Sequence, residues 1–163
     1  MAFTEYEPKH ETLDLQEHSV EYEDNFEKSF MQRTLTLISE YEGPLDATLL
    51  VNCLLGLMVL PKEAFIEKLP AVDFESLADW GVAPTSIKEA GRCSEGHQHK
   101  LTLKQLIRRL RNAVAHFRVK PIHLGGKVHS FSFRDQNGFH AELSLTEMKA
   151  FVVKLATYLE AKS

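Results

Sequence analysis

Apolar residues recur at helical spacing in four stretches of the chain. Phe26, Phe30, Leu37 and Ile38 form a stripe that predicts a helix from Asp24 or Asn25, either of which can cap it, to about Tyr41, where Gly43-Pro44 ends it. Leu45 to Leu60 is apolar on nearly every side, as expected of a central helix; Pro61 stops it, and Gly56 lets a neighbour approach closely. KEAFIEKL and FESLADW read as short helices, and SIKEAG as one further helical turn. Thr102 caps a longer helix whose apolar face is Leu103, Ile107, Leu110, Val114 and Phe117, stepping by four and three. Pro121 disfavours helix at Lys120, so this helix ends near Phe117 to Arg118.

The pattern then changes period. KVHSFSF and GFHAELS alternate and are joined by a turn at Asn137-Gly138, which predicts a small β-hairpin; Gly125-Gly126 reads as a turn and nothing more. Ser144 or Thr146 with Glu147 opens a last helix through Tyr158, with Met148, Phe151, Val152, Leu155 and Leu159 as its stripe. The expected fold is mainly α, a helical bundle with one small hairpin between its last two long helices.

With 163 residues, 44% of them hydrophobic and 26% charged, the chain has the size and composition of one soluble domain. Two cysteines, Cys53 and Cys93, make no disulfide framework and suit a reducing compartment. MAFTEYEPKH lacks the basic-then-apolar order of an export signal, and the longest apolar run carries Asp46 and Asn52. A cytoplasmic protein without a membrane segment is expected.

Charge alters this plain picture. The net charge is −4, yet residues 1–24 hold eight acids against Lys9, a net of −7, which leaves +3 on the remainder. Residues 1–24 are therefore expected to form an acidic, extended or mobile arm, and 25–163 a single helical domain. From His97 to Arg134 stand nine Lys and Arg and no acid. Local asymmetry of this kind marks an anionic partner.

On a helical wheel centred on Leu110, Arg108, Asn112, Ala115 and His116 fall on the polar half, with Arg111 at its edge. Arg111 and His116 are five apart and project roughly 140° from each other, whereas Asn112 and His116 are i,i+4 neighbours. The string Arg111-Asn112-Ala113-Val114-Ala115-His116 resembles the Arg-x4-His motif of HEPN domains. NCLLGLMVLPKE and LRNAVAHFRVKP together resemble a plasmid- and prokaryote-encoded HEPN subgroup, over about residues 25–160.

The resemblance implies a HEPN-like bundle that dimerises so that two motifs line one cleft, with metal-independent endoribonuclease activity. The residue types suit that chemistry: a histidine exchanges protons near neutrality and a guanidinium grips phosphate in a fork. Arg111, Asn112 and His116 are the expected catalytic group, acting by 2′-hydroxyl attack to leave 2′,3′-cyclic phosphate ends. Arg108, Arg109, Arg118, Lys120 and His123 are the expected RNA contacts. No cofactor is expected, and the missing carboxylates speak against a two-metal nuclease.

Other readings stay open beside it. A histidine and arginines near a helix C-terminus also serve the helix itself, through its dipole and last carbonyls. Cys93, His97 and His99 form a weak candidate metal loop without an obvious fourth ligand. Trp80 and the tyrosines do not interleave with the basic stretch, so no stacking platform for bases is evident. The expected partners are a second copy, RNA and an antitoxin or other regulatory protein. The alternative function is a non-catalytic HEPN module that dimerises and binds a protein or nucleotide, or an RNA-binding regulator.

Overall fold

The computed structural model describes residues 26–59, 67, 69–92 and 101–162, which contain four α-helices, two short 3-10 turns and one antiparallel sheet. Helix α1 is Phe26–Glu40, α2 Asp46–Val59, α3 Leu103–Ala115 and α4 Leu145–Glu160. The strands are β1 (Ile87–Ala90), β2 (Val119–Leu124), β3 (Lys127–Arg134) and β4 (Phe139–Ser144), in the order β1-β4-β3-β2. The fold is thus mixed α and β, which corrects the expectation of a mainly helical bundle with one small hairpin.

Two strands escaped the sequence pattern for different reasons. Pro121 speaks against a central strand, but β2 is an edge strand, where a proline's missing N–H breaks no ladder. Gly125 and Gly126, at φ 59° and 79°, are the two-residue turn joining β2 to β3, because that turn needs both residues at positive φ. In place of a helical turn in SIKEAG, a 3-10 turn at Pro84–Ser86 leads into β1, which pairs with β4 from Ile87↔Ala141 to Ala90↔Phe139. Here pairing along an open sheet edge overrides weak local preference.

The hairpin of β3 and β4 forms as its alternation predicts. Phe131 and Phe133 with Phe139, Ala141 and Leu143 turn one face of the sheet into the core. Helix α4 packs on that sheet and on α1 and α2, and every residue of its predicted stripe is buried. Burying one such Phe or Leu contributes about 1.5–3 kcal/mol. Ser144 and Glu147 close a capping box at the start of α4. Glu147 also accepts from the Ala83 N–H at 3.1 Å and the Ser86 hydroxyl at 2.5 Å, tying the 3-10 turn to the helix. Burial pushes the Glu147 carboxyl up, but its hydrogen bonds from Ser86, Ser144 and Ala83 outweigh this and hold it below its ordinary 4.5.

The helical layer follows the predicted order with one rotation. Met31 and Ile38 carry the buried side of α1, while Phe26 and Leu37, assigned to its stripe, are 48% and 49% exposed. A Cβ on Gly56 of α2 would lie 2.7 Å from the Phe30 ring, the close approach its position suggested. Cys53 is buried in this layer, which pushes its thiol up and leaves it unreactive. FESLADW forms the other 3-10 turn, Glu75–Trp80. Most of KEAFIEKL, the Cys93, His97 and His99 loop and the acidic residues 1–24 lie outside the described residues.

Candidate active site

The basic stretch is built on α3 and the start of β2. Thr102 and Gln105 close a capping box at the N-terminus of α3, and Leu103, Leu106, Ile107, Leu110 and Ala113 hold its inner face in the core. At the other end His116 is the C-cap, with its backbone N–H on the Asn112 carbonyl at 3.2 Å. The helix stops in a Schellman turn: Phe117 N–H reaches the Val114 carbonyl at 3.0 Å and Arg118 N–H the Ala113 carbonyl at 2.8 Å.

That turn changes the role of Phe117. Its φ of 51° is the sole positive φ of a non-glycine residue among the described residues, and its side chain is 94% exposed. It therefore does not belong to the core stripe in which helical spacing placed it. A left-handed non-glycine residue is strained by roughly 1–2 kcal/mol. The signal for this lay in the sequence: with Pro121 fixing the end of the helix, residue 117 falls one past the cap, where glycine is usual.

Tertiary structure sorts the arginines. Arg109 is turned inward; its guanidinium donates to Asp135 at 2.7 Å and to the Arg92 carbonyl at 2.5 Å, with 12% of its side chain and 1% of that of Asp135 exposed. Asp135 also accepts from the Asn137 and Phe139 N–H groups at 2.7 and 3.0 Å, so it joins α3 to the β3–β4 turn. Arg108 donates to Glu67 at 3.1 Å and Lys104 approaches the same carboxylate at 3.4 Å, both at the surface. The stretch without acids in sequence thus acquires Glu67 and Asp135 in space.

The remaining candidates are left open. Arg111 and Asn112 are half-buried, and His116, Arg118, Lys120 and His123 are exposed. Among the described residues none of these six side chains has a hydrogen-bond or ion-pair partner. Lys120 stands opposite Ser132 and, after a bulge between Ile122 and His123, His123 stands opposite Val128. The extra residue of the bulge, His129, lies on β3, so β2 alternates without interruption and His123, three residues on, falls on the face opposite the one that Lys120 and Ser132 share. On that shared face His140 contacts the Ser132 hydroxyl at 3.1 Å and Glu142 at 3.3 Å through one nitrogen, which is not the arrangement of a catalytic triad.

A cavity of about 280 Å³ lies between α1, α2 and the start of α4, lined by Ile38, Tyr41, Asp46, Leu49 and Lys149, with none of the motif residues in its wall. Among the described residues no three His, Cys, Asp or Glu are grouped to hold a metal ion, and no helix is long and apolar enough to cross a membrane.

Comparison with known proteins adds the family. None of the curated proteins or solved structures compared matches the chain. The family model described as HEPN pEK499 p136 matches residues 9–163, a span that takes in α3 with its Arg-x4-His motif and starts within the acidic N-terminal segment. By that match over nearly its whole length, the chain belongs to the HEPN pEK499 p136 family.

Proposed function

We propose that the protein is a metal-independent endoribonuclease whose site is completed where two copies meet. One observation carries this reading: among the described residues His116 is exposed and without a side-chain partner, and the cations nearest it in the chain, Arg111 and Arg118, are likewise uncommitted, whereas Arg109 and Arg108 are paired. Arg111 and His116 diverge on one helix, so a two-fold copy is needed to bring a guanidinium of one motif towards the histidine of the other. Attack of the 2′-oxygen forms its bond to phosphorus as the 5′-oxygen leaves. One His116 takes the 2′ proton and its counterpart gives one to the 5′-oxygen. Arg111 steadies the phosphorane charge and Asn112 orients phosphate or imidazole. Arg118 and Lys120 follow the backbone of the RNA, and His123, on the other face of β2, is left out of this track.

Of the wider set of RNA contacts, Arg109 is left out because its guanidinium is used inside the fold. Arg108 is retained, since an exposed pair with Glu67 exchanges readily for phosphate. A toxin-like or defence role, with an antitoxin as regulatory partner in the cytoplasm, belongs to the same proposal. The non-catalytic interaction module is favoured by one fact: within one chain no described residue orients the His116 ring.

The test is cleavage of end-labelled RNA in EDTA by wild type and His116→Ala, with the product ends identified. Wild type is expected to leave 2′,3′-cyclic phosphate, and His116→Ala to lose about a hundred- to ten-thousand-fold in rate. Equal cleavage by both, or ends other than cyclic phosphate, would overturn the assignment.

A further inference from the structure

Phe117 is the described residue whose placement the fold itself explains least. The Schellman turn puts it at a left-handed position where glycine is the ordinary occupant, because a Cβ is strained there. At 94% exposure the ring recovers nothing by burial. Two backbone hydrogen bonds, from Phe117 and Arg118, hold the turn, so the ring is presented from fixed backbone rather than from a loose loop. Strain kept where the fold gains no packing from it points to a ligand.

The surroundings say which ligand. His116 precedes the ring, Arg118 follows it and Lys120 lies two residues on, all exposed and without a side-chain partner among the described residues. Leu124, the nearest exposed large apolar residue in the chain, is at the far end of β2, about 16 Å of extended strand beyond Val119. A lone ring between cations is not the apolar, charge-depleted centre of a protein interface. It is the composition of a single-strand contact, an aromatic face for a base with cations for the backbone.

We propose that Phe117 is a stacking platform for one unpaired base of the RNA beside the His116 site, with Arg118 and Lys120 taking the adjoining phosphates. The inference rests on the ribonuclease reading for its ligand and narrows that ligand to single-stranded RNA. A paired base is already stacked on its neighbours and is not available to the ring.

The test measures binding by the full chain in EDTA, with a 2′-O-methyl oligoadenylate that cannot be cleaved and an abasic strand of the same length and charge. Phe117→Ala is expected to lose roughly 5- to 100-fold in affinity for the oligoadenylate and nothing for the abasic strand. Phe117→Trp is expected to keep the affinity, with its emission quenched on binding while the buried Trp80 is unaffected. Oligoadenylate binding by Phe117→Ala equal to that of wild type would overturn the platform. So would equal losses for both strands together with a fall in mass by light scattering, which would make the ring a subunit contact. If wild type binds both strands alike, the RNA reading stands and the platform falls; if wild type binds neither, both fall.

Discussion

The two ends of α3 are built on opposite terms. At its start the cap and the charged side chains are answered: Thr102 and Gln105 cap the backbone, Glu67 meets Lys104 and Arg108, and Asp135 and the Arg92 carbonyl meet Arg109. At its end the backbone turns through a strained phenylalanine, and Arg111, Asn112, His116 and Arg118 have no side-chain partner among the described residues. One helix thus carries a fastening and an offer, within four turns of each other. Basic residues of one type and one short stretch serve different ends because tertiary neighbours, not the stretch itself, assign them.

The sharpest way to break this comparison is to exchange the two ends' mutational consequences. Asp135→Ala leaves the Arg109 charge nearly buried and unpaired and removes an acceptor from two backbone N–H groups. A loss of about 3–5 kcal/mol in unfolding free energy is expected. Arg111→Ala and His116→Ala, which break no side-chain hydrogen bond or ion pair among the described residues, should stay within roughly 0.5 kcal/mol of wild type while losing cleavage. Urea unfolding of the three variants decides it: an Asp135→Ala protein as stable as wild type would dissolve the distinction.

The start of α4 extends the contrast to acid. Glu147 is held below 4.5 by the hydrogen bonds it accepts, so its contribution is fully present above that value and is lost as pH falls through its lower, folded value. Wild type should therefore lose stability below pH 4.5, and Glu147→Gln should show a flatter profile there. At neutral pH the Gln variant should be about 1–2 kcal/mol less stable, since an amide nitrogen cannot accept from Ser144 or Ser86. Equal acid profiles would show that these bonds do not favour the ionised form.

Much of the helical layer and the motif's place on it could be read from spacing, because the buried stripes of α3 and α4 obey one period. The sheet could not be read as easily. Strand β1 owes its form to a neighbour distant in sequence, and β2 is hidden by Pro121, whose tolerance depends on an edge position that only the assembled sheet supplies. The candidate site divides likewise. Arg111, Asn112 and His116 could be found by motif, but that Arg109 faces inward depends on Asp135, 26 residues on. Phe117 was concealed by its own hydrophobicity: on an unbroken helix it would have continued the core stripe.

Relieving the strain at Phe117 gives a smaller effect of opposite sign. Phe117→Gly removes the left-handed penalty and exposes no packing, at the cost of a more flexible unfolded chain. A gain of about 0.5–1 kcal/mol is expected. A destabilised Phe117→Gly protein would mean that the ring packs against something in the monomer and is not offered outward.

The smallest expected change in stability tests whether the start of α3 is closed to RNA or only neutralised. Glu67 sits in an exposed pair with Arg108, so Glu67→Ala should alter stability by less than about 0.5 kcal/mol. Its consequence for RNA runs the other way. The variant releases Arg108 into the field that already holds Arg111 and Arg118, and frees Lys104, one turn away, from the carboxylate while leaving its 2.9 Å bond to the residue-67 carbonyl. Each released cation that takes up a phosphate should steepen the logarithmic salt dependence of single-strand binding by about 0.7. Tighter binding at low salt with a steeper slope would show that Glu67 limits the length of the RNA track, and that Arg108 joins it once freed. An unchanged slope would confine the track to the open end, from Arg111 to Lys120. If Arg108→Ala then weakened binding in the presence of Glu67, phosphate would already be displacing the carboxylate, and the boundary between the fastened and the offered end would lie at Arg109.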